Sequence, residues 1–338
     1  MIDIDGAHGE GGGQILRTAI SLSAVLHEPV RVFNIRAGRP TPGLSAQHVT
    51  SIAAVADLSA AVVEGLRRGS EEIVFEPGDI SGGDFEFAVG TAGSVALVLQ
   101  SCILPALHAG SSTTITVTGG TDVRWAPQVD YLGLVHLPLI RRFGADSTML
   151  VESRGFHPEG GGRATLEVRP SKALNPLELV RREGRASIEG IVYSQNLPDD
   201  VNTRMKHAAM KRLVGFDPVR IRSDVSSGHS TGAGIVLSAG FDNTVLGASR
   251  LGEKGVRAEV LGEKCADELA RTLSSEVTVD PYSLDQLLPY MALARGASTV
   301  LASSLTPHAE TNIWVIERFL GKRFDINEER GLVTIATT

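Results

Sequence analysis

The chain has few cysteines and no long uninterrupted apolar run. Only Cys102 and Cys265 occur among the 338 residues, and neither belongs to a CxxC or zinc-type spacing. A disulfide framework or a structural zinc site is therefore not expected, and a reducing, cytoplasmic setting is predicted. The longest apolar stretch, residues 92–107, is interrupted by Gln100 and Pro105. A membrane helix, which needs about 20 apolar residues, is not expected either.

An excess of positive charge is also missing. Lysine and arginine number 32 against 39 aspartate and glutamate residues, which gives a formal net charge of −7. Proteins that coat long stretches of nucleic acid need a basic surface, so this class is disfavoured. Aromatic residues make up only 5% of the chain, which argues against an RNA platform built on base stacking. The composition remains compatible with a few arginines that grip one terminal phosphate.

Strand-like and helical hydrophobic patterns alternate along the chain. Period-two alternation predicts strands over 31–35, 71–75, 84–89, 113–118, 164–169, 219–225, 234–239 and 332–336. Helical spacing predicts helices over 14–26, 45–61, 91–108, 130–143, 264–273, 283–294 and 312–319. The helix over 91–108 is apolar nearly all round and should be buried. Strand pairs between the helices favour an α+β fold with helices on one face of each sheet.

A loose internal repetition suggests how the chain is organised. Paired glycines recur at predicted strand ends, at 82–83, 119–120 and 160–162. They predict a large domain of repeated sheet-plus-helix units, formed by residues 1–180 and 275–338. The segment 181–274 is more polar and more charged and begins at an Arg-Arg-Glu-Gly turn. It is predicted to be a smaller inserted α+β domain.

Two glycine-containing segments could bind phosphate. The run Gly-Glu-Gly-Gly-Gly at 9–13 leads directly into a predicted helix, whose free amides and dipole favour an anion. It matches neither the Walker A nor the GxGxxG spacing, and a plain tight turn is the alternative. Arg36 and Arg39 lie on a stiff Pro/Gly loop, and Gln47 follows in the next helix. The guanidinium group of arginine can bind two phosphate oxygens at once. A solvated loop with two surface arginines would have the same sequence pattern.

Three further segments carry polar groups in apolar surroundings. Gln100 is an amide within the buried helix, where it needs a partner or a ligand. Asp285 and Gln286 begin an apolar helix, and they could either cap it or hold a nucleotide while Tyr282 stacks. His308 precedes the predicted helix 312–319. A neutral imidazole there could be a nucleophile, or the histidine could be structural.

Taken together, these segments resemble the RNA 3′-terminal phosphate cyclase family. The matching pieces are DGAHGEGGGQILR at 5–17, IRAGR at 35–39, GTAGS at 90–94 with Gln100, GGTD at 119–122, DQL at 285–287, and His308 with TNI at 311–313 and VIERF at 315–319. The resemblance runs from residue 2 to about residue 324 and is weakest in the insert. Several motifs in one order make it far more specific than any single one.

The resemblance implies an ATP-dependent enzyme that acts on RNA ends. In such cyclases a histidine attacks the α-phosphorus of ATP, which gives a histidine–AMP intermediate and releases pyrophosphate. AMP then passes to an RNA 3′-phosphate, and the neighbouring 2′-hydroxyl displaces it to leave a 2′,3′-cyclic phosphate. A divalent cation, Mg²⁺ or Mn²⁺, assists the charged phosphates.

The resemblance also implies roles for individual residues. His308 corresponds to the adenylated nucleophile and Glu10 to a metal-linked glutamate near the ATP phosphates. The positions implied to bind ATP are Gln100, Tyr282, Ser283, Leu284, Asp285 and Gln286. Those implied to surround the ATP phosphates or the RNA end, without a division between the two, are Arg17, Arg36, Arg39 and Gln47. Some relatives carry a cysteine before the histidine, where this chain has Pro307.

Two other classes remain open at this point. Relatives of the cyclases that work in ribosome biogenesis share the fold but lack the nucleophilic histidine, and His308 argues against that reading. A small-molecule transferase built from similar repeated units would also use glycine turns and arginines. Such a transferase would not need an adenylated histidine, so covalent labelling by ATP distinguishes it from a cyclase. A homo-oligomer is compatible with the sequence, and no membrane partner is expected.

Overall fold

The computed structural model describes residues 1–171 and 173–337. Its first unit is a strand–helix–strand–helix segment followed by an antiparallel strand pair. The elements are β1 (Ile2–Asp5), α1 (Gly13–Leu26), β2 (Val30–Phe33), α2 (Ala46–Leu58), β3 (Val62–Glu64) and β4 (Ile73–Glu76). Strands β1 and β2 are parallel and the other pairings are antiparallel, which gives the order β1-β2-β4-β3.

The second unit repeats this topology with a longer helical connection. Its elements are β5 (Gly83–Ala88), α3 (Val95–Leu107), β6 (Thr113–Gly119), α4 (Val129–Tyr131), a π-helical turn (Leu132–His136), α5 (Leu137–Arg142), β7 (Ser147–Ser153) and β8 (Gly162–Val168). The strand order is β5-β6-β8-β7, again with one parallel pair. Every residue of α3 except Gln100 is buried, as its continuous hydrophobicity predicts.

The third unit is interrupted after its first strand, β9 (Glu178–Leu179). The intervening segment contains β10 (Ser187–Gln195), α6 (Asp200–Arg212), β11 (Val219–Ser226), β12 (Gly232–Gly240), β13 (Val245–Leu251) and α7 (Ala258–Ser274). Its sheet has a different order, β11-β10-β12-β13. Helices α6 and α7 pack together and share an apolar cluster with this sheet, separate from the cluster of the repeated units.

The chain then returns to complete the third unit. The remaining elements are α8 (Pro281–Leu293), β14 (Thr299–Ala302), α9 (Pro307–Leu320), β15 (Phe324–Glu329) and β16 (Leu332–Thr337). The order β9-β14-β16-β15 repeats that of the first two sheets. The α+β class, the repeated sheet-plus-helix units and the smaller insert are thus confirmed. Boundaries at residues 181 and 274 stay a proposal.

Several elements escaped the sequence patterns for identifiable reasons. Strand β10 is buried on both faces over most of its length, so its residues do not alternate. Helix α6 buries only four of its residues, and its apolar stripe is too sparse to be recognised. The short strands β3 and β9 carry too few residues for any period. In the described part of the chain, no helix has the length and hydrophobicity needed to cross a bilayer.

Candidate active site

His308 lies in the first turn of α9, whereas the sequence pattern placed it before the helix. The prediction began this helix at residue 312, whereas the structure begins it at Pro307. The Thr306 side chain caps the helix by accepting a hydrogen bond from the Ala309 amide at 3.1 Å. A threonine N-cap followed by proline is a strong start signal, which the apolar pattern alone did not reveal. The correction places His308 at the positive end of the α9 dipole.

Glu10 contacts His308 directly. The Glu10 Oε2 atom lies 2.7 Å from His308 Nδ1, and the two side chains are 31% and 55% exposed. An ionised carboxylate only accepts hydrogen bonds, so the imidazole proton lies on Nδ1. This tautomer leaves the Nε2 lone pair free and partly open to solvent. The geometry therefore suits a histidine nucleophile oriented by a carboxylate.

The glycines beside Glu10 allow its loop to approach α9. Gly9 has a positive φ of 55°, and a Cβ there would lie 2.4 Å from Thr311 Oγ1. The His8 ring stacks on Trp314 of α9, with ring centroids 3.9 Å apart. The run at 9–13 therefore does more than turn the chain, because it holds Glu10 against the helix that carries His308.

The two loop arginines lie near each other, and Arg39 contacts the loop that carries Glu10. Arg39 donates a hydrogen bond from Nη2 to the Glu10 carbonyl oxygen at 3.0 Å. Arg36 donates from Nη1 to the Gly43 carbonyl oxygen at 2.8 Å. Burial lowers the pKa of Arg36, and the nearby charge of Arg39 lowers it further. An anion bound between these arginines would relieve their mutual repulsion.

Arg17 projects from α1 into the same region. Its Nη2 atom donates to Gln14 Oε1 at 2.8 Å. Burial lowers the Arg17 pKa to about 10, and Asp285 acts in the opposite direction. The guanidinium therefore stays charged at neutral pH with only partial compensation, which favours an anionic ligand.

Gln47 uses one end of its side-chain amide to contact another part of the protein. Its Oε1 atom accepts a hydrogen bond from the Ser94 amide at 3.0 Å. Ser94 is in turn the N-cap of α3, accepting from the Leu97 amide at 3.2 Å. Gln47 therefore ties α2 to the start of α3, and its side-chain NH₂ remains as a donor for a ligand.

The amide and carboxylate positions line a cleft to which Arg17 also contributes. Gln100 Nε2 donates to Gln286 Oε1 at 2.6 Å. Both side chains line a cleft between α1, α3 and α8, together with Arg17 and Asp285. The side-chain amides of Gln100 and Gln286 therefore satisfy each other across the cleft. A ligand that binds there could replace this hydrogen bond with hydrogen bonds of its own.

The other residues implied to bind ATP differ in whether their side chains line this cleft. Tyr282 is 46% exposed and meets the Tyr131 ring edge-on at 6.3 Å between centroids. Ser283 is buried and donates to Asp280 Oδ2 at 2.9 Å, and Leu284 is fully buried. The side chains of Ser283 and Leu284 therefore serve packing and capping, whereas Asp285 and Gln286 line the cleft.

Asp285 should make the stability of the protein depend on pH. Burial raises its pKa to about 7, against the lowering effect of Arg17. The folded state therefore binds more protons than the unfolded state, whose aspartate pKa is about 3.9, and stability falls as pH rises from 4 to 7. Asp285→Asn should be more stable than the wild type at pH 8, by roughly 1–3 kcal/mol, with the difference vanishing near pH 4.

Urea unfolding at both pH values checks this prediction. Asp57→Asn is the matched control, because Asp57 is exposed on α2. A stability gap that stays constant with pH would contradict the assignment of the raised pKa to Asp285.

Two further residues lie at the site without a role assigned from the sequence, although Asn312 stood in one of the matching motifs. Asn312, fully buried in α9, accepts from Thr18 Oγ1 at 2.6 Å and donates to the Asp285 carbonyl oxygen. It thereby joins the helices that carry His308, Arg17 and Asp285. The other is His48 of α2, whose ring lies beside Arg17. Neither residue has a signal in the local pattern, since both acquire their partners only in the fold.

A histidine paired with a carboxylate, on a loop that Arg39 and Arg17 also approach, is the composition of a site for phosphate groups. Comparison with known proteins makes this specific. Residues 8–326 match the family model described as RNA 3′-terminal phosphate cyclase, and the chain belongs to this family.

Curated relatives of that name align over nearly their whole length. The protein from Archaeoglobus fulgidus is 47% identical, covering 95% of this chain and 96% of the relative. The one from Nitrosospira multiformis is 42% identical, covering 99% and 96%. The one from Pyrococcus abyssi is 44% identical, covering 98% and 96%.

Proposed function

We propose that this chain converts an RNA 3′-terminal phosphate to a 2′,3′-cyclic phosphodiester at the expense of ATP. The observation that carries the proposal is the 2.7 Å contact of Glu10 with His308 Nδ1, with Arg39 bonded to the Glu10 backbone, in a member of this family. The contact leaves one imidazole nitrogen free to act as a nucleophile.

In the first step His308 would become adenylated. The Nε2 lone pair forms a bond to the α-phosphorus of ATP, and the bond from that phosphorus to the β-phosphate oxygen breaks. Pyrophosphate leaves with the electron pair. Glu10 accepts a hydrogen bond from Nδ1–H throughout and so stabilises the positive charge that develops on the ring. The arginines stabilise the charge of the departing pyrophosphate.

The later steps activate the RNA end and close the ring. An oxygen of the terminal 3′-phosphate attacks the adenylated phosphorus, and the bond to His308 Nε2 breaks. The RNA–adenylate anhydride that results has AMP as a good leaving group. The neighbouring 2′-hydroxyl attacks the former terminal phosphorus, loses its proton to solvent and displaces AMP. This attack is intramolecular, so proximity lowers its barrier.

A divalent cation fits beside Glu10, although most of its ligands would come from the substrate. No group of three or more metal-ligating side chains occurs within residues 1–171 and 173–337. Glu10 lies on the loop that Arg39 contacts, and Mg²⁺ and Mn²⁺ commonly combine one carboxylate with phosphate oxygens and water. The cation would neutralise charge on the phosphates, while Glu10 holds it near His308.

The cleft supports a place for the nucleoside of ATP. Gln100 and Gln286 present amide groups that could exchange their mutual hydrogen bond for the edge of a base. Asp285 lines the same cleft, and half-exposed Tyr282 lies one turn earlier on α8.

The free, buried cysteines Cys102 and Cys265 support a reducing, cytoplasmic location.

Labelling with ATP tests the proposal. The protein is incubated with α-labelled ATP and Mg²⁺ or Mn²⁺ and separated on a denaturing gel. A covalent label that is acid-labile and alkali-stable, and that is discharged by RNA ending in a 3′-phosphate, is the expected result. A folded protein that takes no label with either metal would instead favour the non-catalytic class of relatives.

Arg39 should contribute to phosphate binding. Arg39→Ala removes a charged donor that lies beside Glu10, and the KM for ATP or for the RNA end should rise about tenfold, the effect of one charge-assisted hydrogen bond. Arg169→Ala is the control, because Arg169 is 77% exposed and pairs only with Asp146 among the described residues. Unchanged KM values for both substrates would remove Arg39 from the site.

A further inference from the structure

His48 is a buried histidine whose outer ring nitrogen has no partner in the described part of the chain. It lies in the first turn of α2 and is only 6% exposed. Both hydrogen bonds of the ring involve Nδ1, which lies 3.1 Å from the Ser45 amide and 3.0 Å from Ser45 Oγ. The Nε2 atom therefore remains available to a ligand or to water.

The contact with Ser45 fixes which nitrogen carries the proton. The Ser45 amide can only donate, so Nδ1 is the acceptor and the proton lies on Nε2. The ring is also neutral, because burial lowers the His48 pKa to about 3 and the charges of Arg17 and Arg36 lower it further. His48 therefore presents one neutral N–H donor near two guanidinium groups.

This donor points at the beginning of α1. A Cβ on Gly13, the first residue of that helix, would lie 2.3 Å from His48 Nε2 and 3.0 Å from Arg17 Nη1. Gly12 is the N-cap and offers no side-chain acceptor to the first amides. The helix dipole, the imidazole N–H and a guanidinium thus meet at the start of α1, where only a glycine lets the His48 ring approach so closely.

We infer that His48, Gly13 and Arg17 form an oxyanion subsite that binds one phosphate oxygen, with His48 Nε2–H as a neutral donor. The inference rests on the proposed function for the identity of the phosphate. Two sources share this chemistry, the polyphosphate of ATP and the terminal phosphate of the RNA. A neutral donor binds an anion without adding to the repulsion between Arg17 and Arg36.

Two substitutions at His48 separate its donor from its packing. In His48→Asn the side-chain oxygen can still accept from the Ser45 amide, but the donor at the Nε2 position is lost. In His48→Gln the amide nitrogen can reach the Nε2 position. Gly13→Ala instead obstructs the subsite, because the added Cβ would lie too close to His48 Nε2 and must displace the ring. Gly110→Ala is the control, since Gly110 is exposed and a Cβ there would meet no atom within 4 Å.

Binding is measured by calorimetry without turnover. The probes are inorganic pyrophosphate and a short oligoribonucleotide that ends in a 3′-phosphate, with the 3′-hydroxyl form for comparison. His48→Asn and Gly13→Ala should weaken one phosphate probe at least about tenfold, as expected for one hydrogen bond to a charged group. His48→Gln should stay within about threefold of the wild type. The probe affected identifies the source of the phosphate.

The outcomes separate this inference from the proposed function. Circular dichroism checks the fold, and if His48→Asn does not fold, Gly13→Ala decides. Wild-type affinity for both probes in the folded variants would overturn the subsite. So would a loss in His48→Gln as large as in His48→Asn, since this would indicate packing alone. A wild-type protein that binds a phosphate probe through His48 but takes no label from ATP would retain the subsite and refute the cyclase mechanism.

Discussion

His308→Ala should abolish covalent labelling by ATP and lower the rate of RNA cyclisation by at least roughly 10³-fold. The imidazole Nε2 is the nitrogen that the contact with Glu10 leaves free, and alanine offers no nucleophile in its place. The side chain is 55% exposed, so the free energy of unfolding should change by only about 0.5 kcal/mol. Gel labelling and urea unfolding of the same preparation measure both effects.

The control is His207→Ala, because His207 is exposed on α6 of the insert. It should label like the wild type. Label on folded His308→Ala at the wild-type rate would place the nucleophile elsewhere. Loss of the fold in His308→Ala would favour the structural role that the sequence left open.

The second large effect is expected at Arg154, which joins the insert to the repeated units. Arg154 is 3% exposed and donates to Asp130 Oδ2 at 2.7 Å and to Asp224 Oδ2 at 2.8 Å, while Asp122 Oδ2 lies 3.4 Å away. Its guanidinium also lies 3.7 Å from the centre of the Tyr193 ring. Because Asp224 and Tyr193 belong to the insert sheet, one cation holds the two parts together.

Arg154→Met should therefore destabilise the protein by about 3–5 kcal/mol, since it leaves buried carboxylates without a counter-charge. Burial already raises the pKa of Asp122, and Arg154 opposes that rise. Without Arg154 this pKa should climb further, so the folded variant binds more protons than the unfolded chain. Its stability should rise as pH falls, and the deficit should shrink between pH 8 and pH 5.

Arg163→Ala provides the comparison, because Arg163 also pairs with two carboxylates, Glu86 and Glu152, but is 36% exposed. Its loss should cost about 0–1 kcal/mol. Urea unfolding at both pH values measures all three proteins. A deficit for Arg154→Met no larger than that for Arg163→Ala, or one that grows as pH falls, would contradict this account of the network.

Local patterns predicted the elements whose burial is one-sided or continuous. Helix α1 and strands β6 and β8 lie close to their predicted positions because their apolar residues follow one period, and α3 does because its continuous apolar run is too long for a strand. Strand β10 was missed because both of its faces are buried. The start of α9 was misplaced because it depends on a cap at Thr306 rather than on hydrophobic spacing.

The residues of the site likewise differ in whether local sequence patterns could predict them. The motifs singled out Glu10 and His308, but only the fold shows that their side chains touch. A role for His48 could not be predicted from the sequence. Its tautomer depends on the contact with Ser45, and its position depends on how closely the ring approaches Gly13. Arg154 was missed as well, since its partners come from four separate segments. Such non-local contacts have no local pattern from which they could be predicted.

The most direct test of the central claim is the fate of an RNA end. An oligoribonucleotide whose terminal 3′-phosphate is labelled is incubated with the protein, Mg²⁺ and ATP, and then treated with phosphatase. The account predicts that the label becomes resistant to phosphatase only when ATP is present, with release of one AMP for each end closed, and that His308→Ala leaves it sensitive. A terminal phosphate that stays sensitive with folded wild-type protein, or that is closed without ATP, would contradict it.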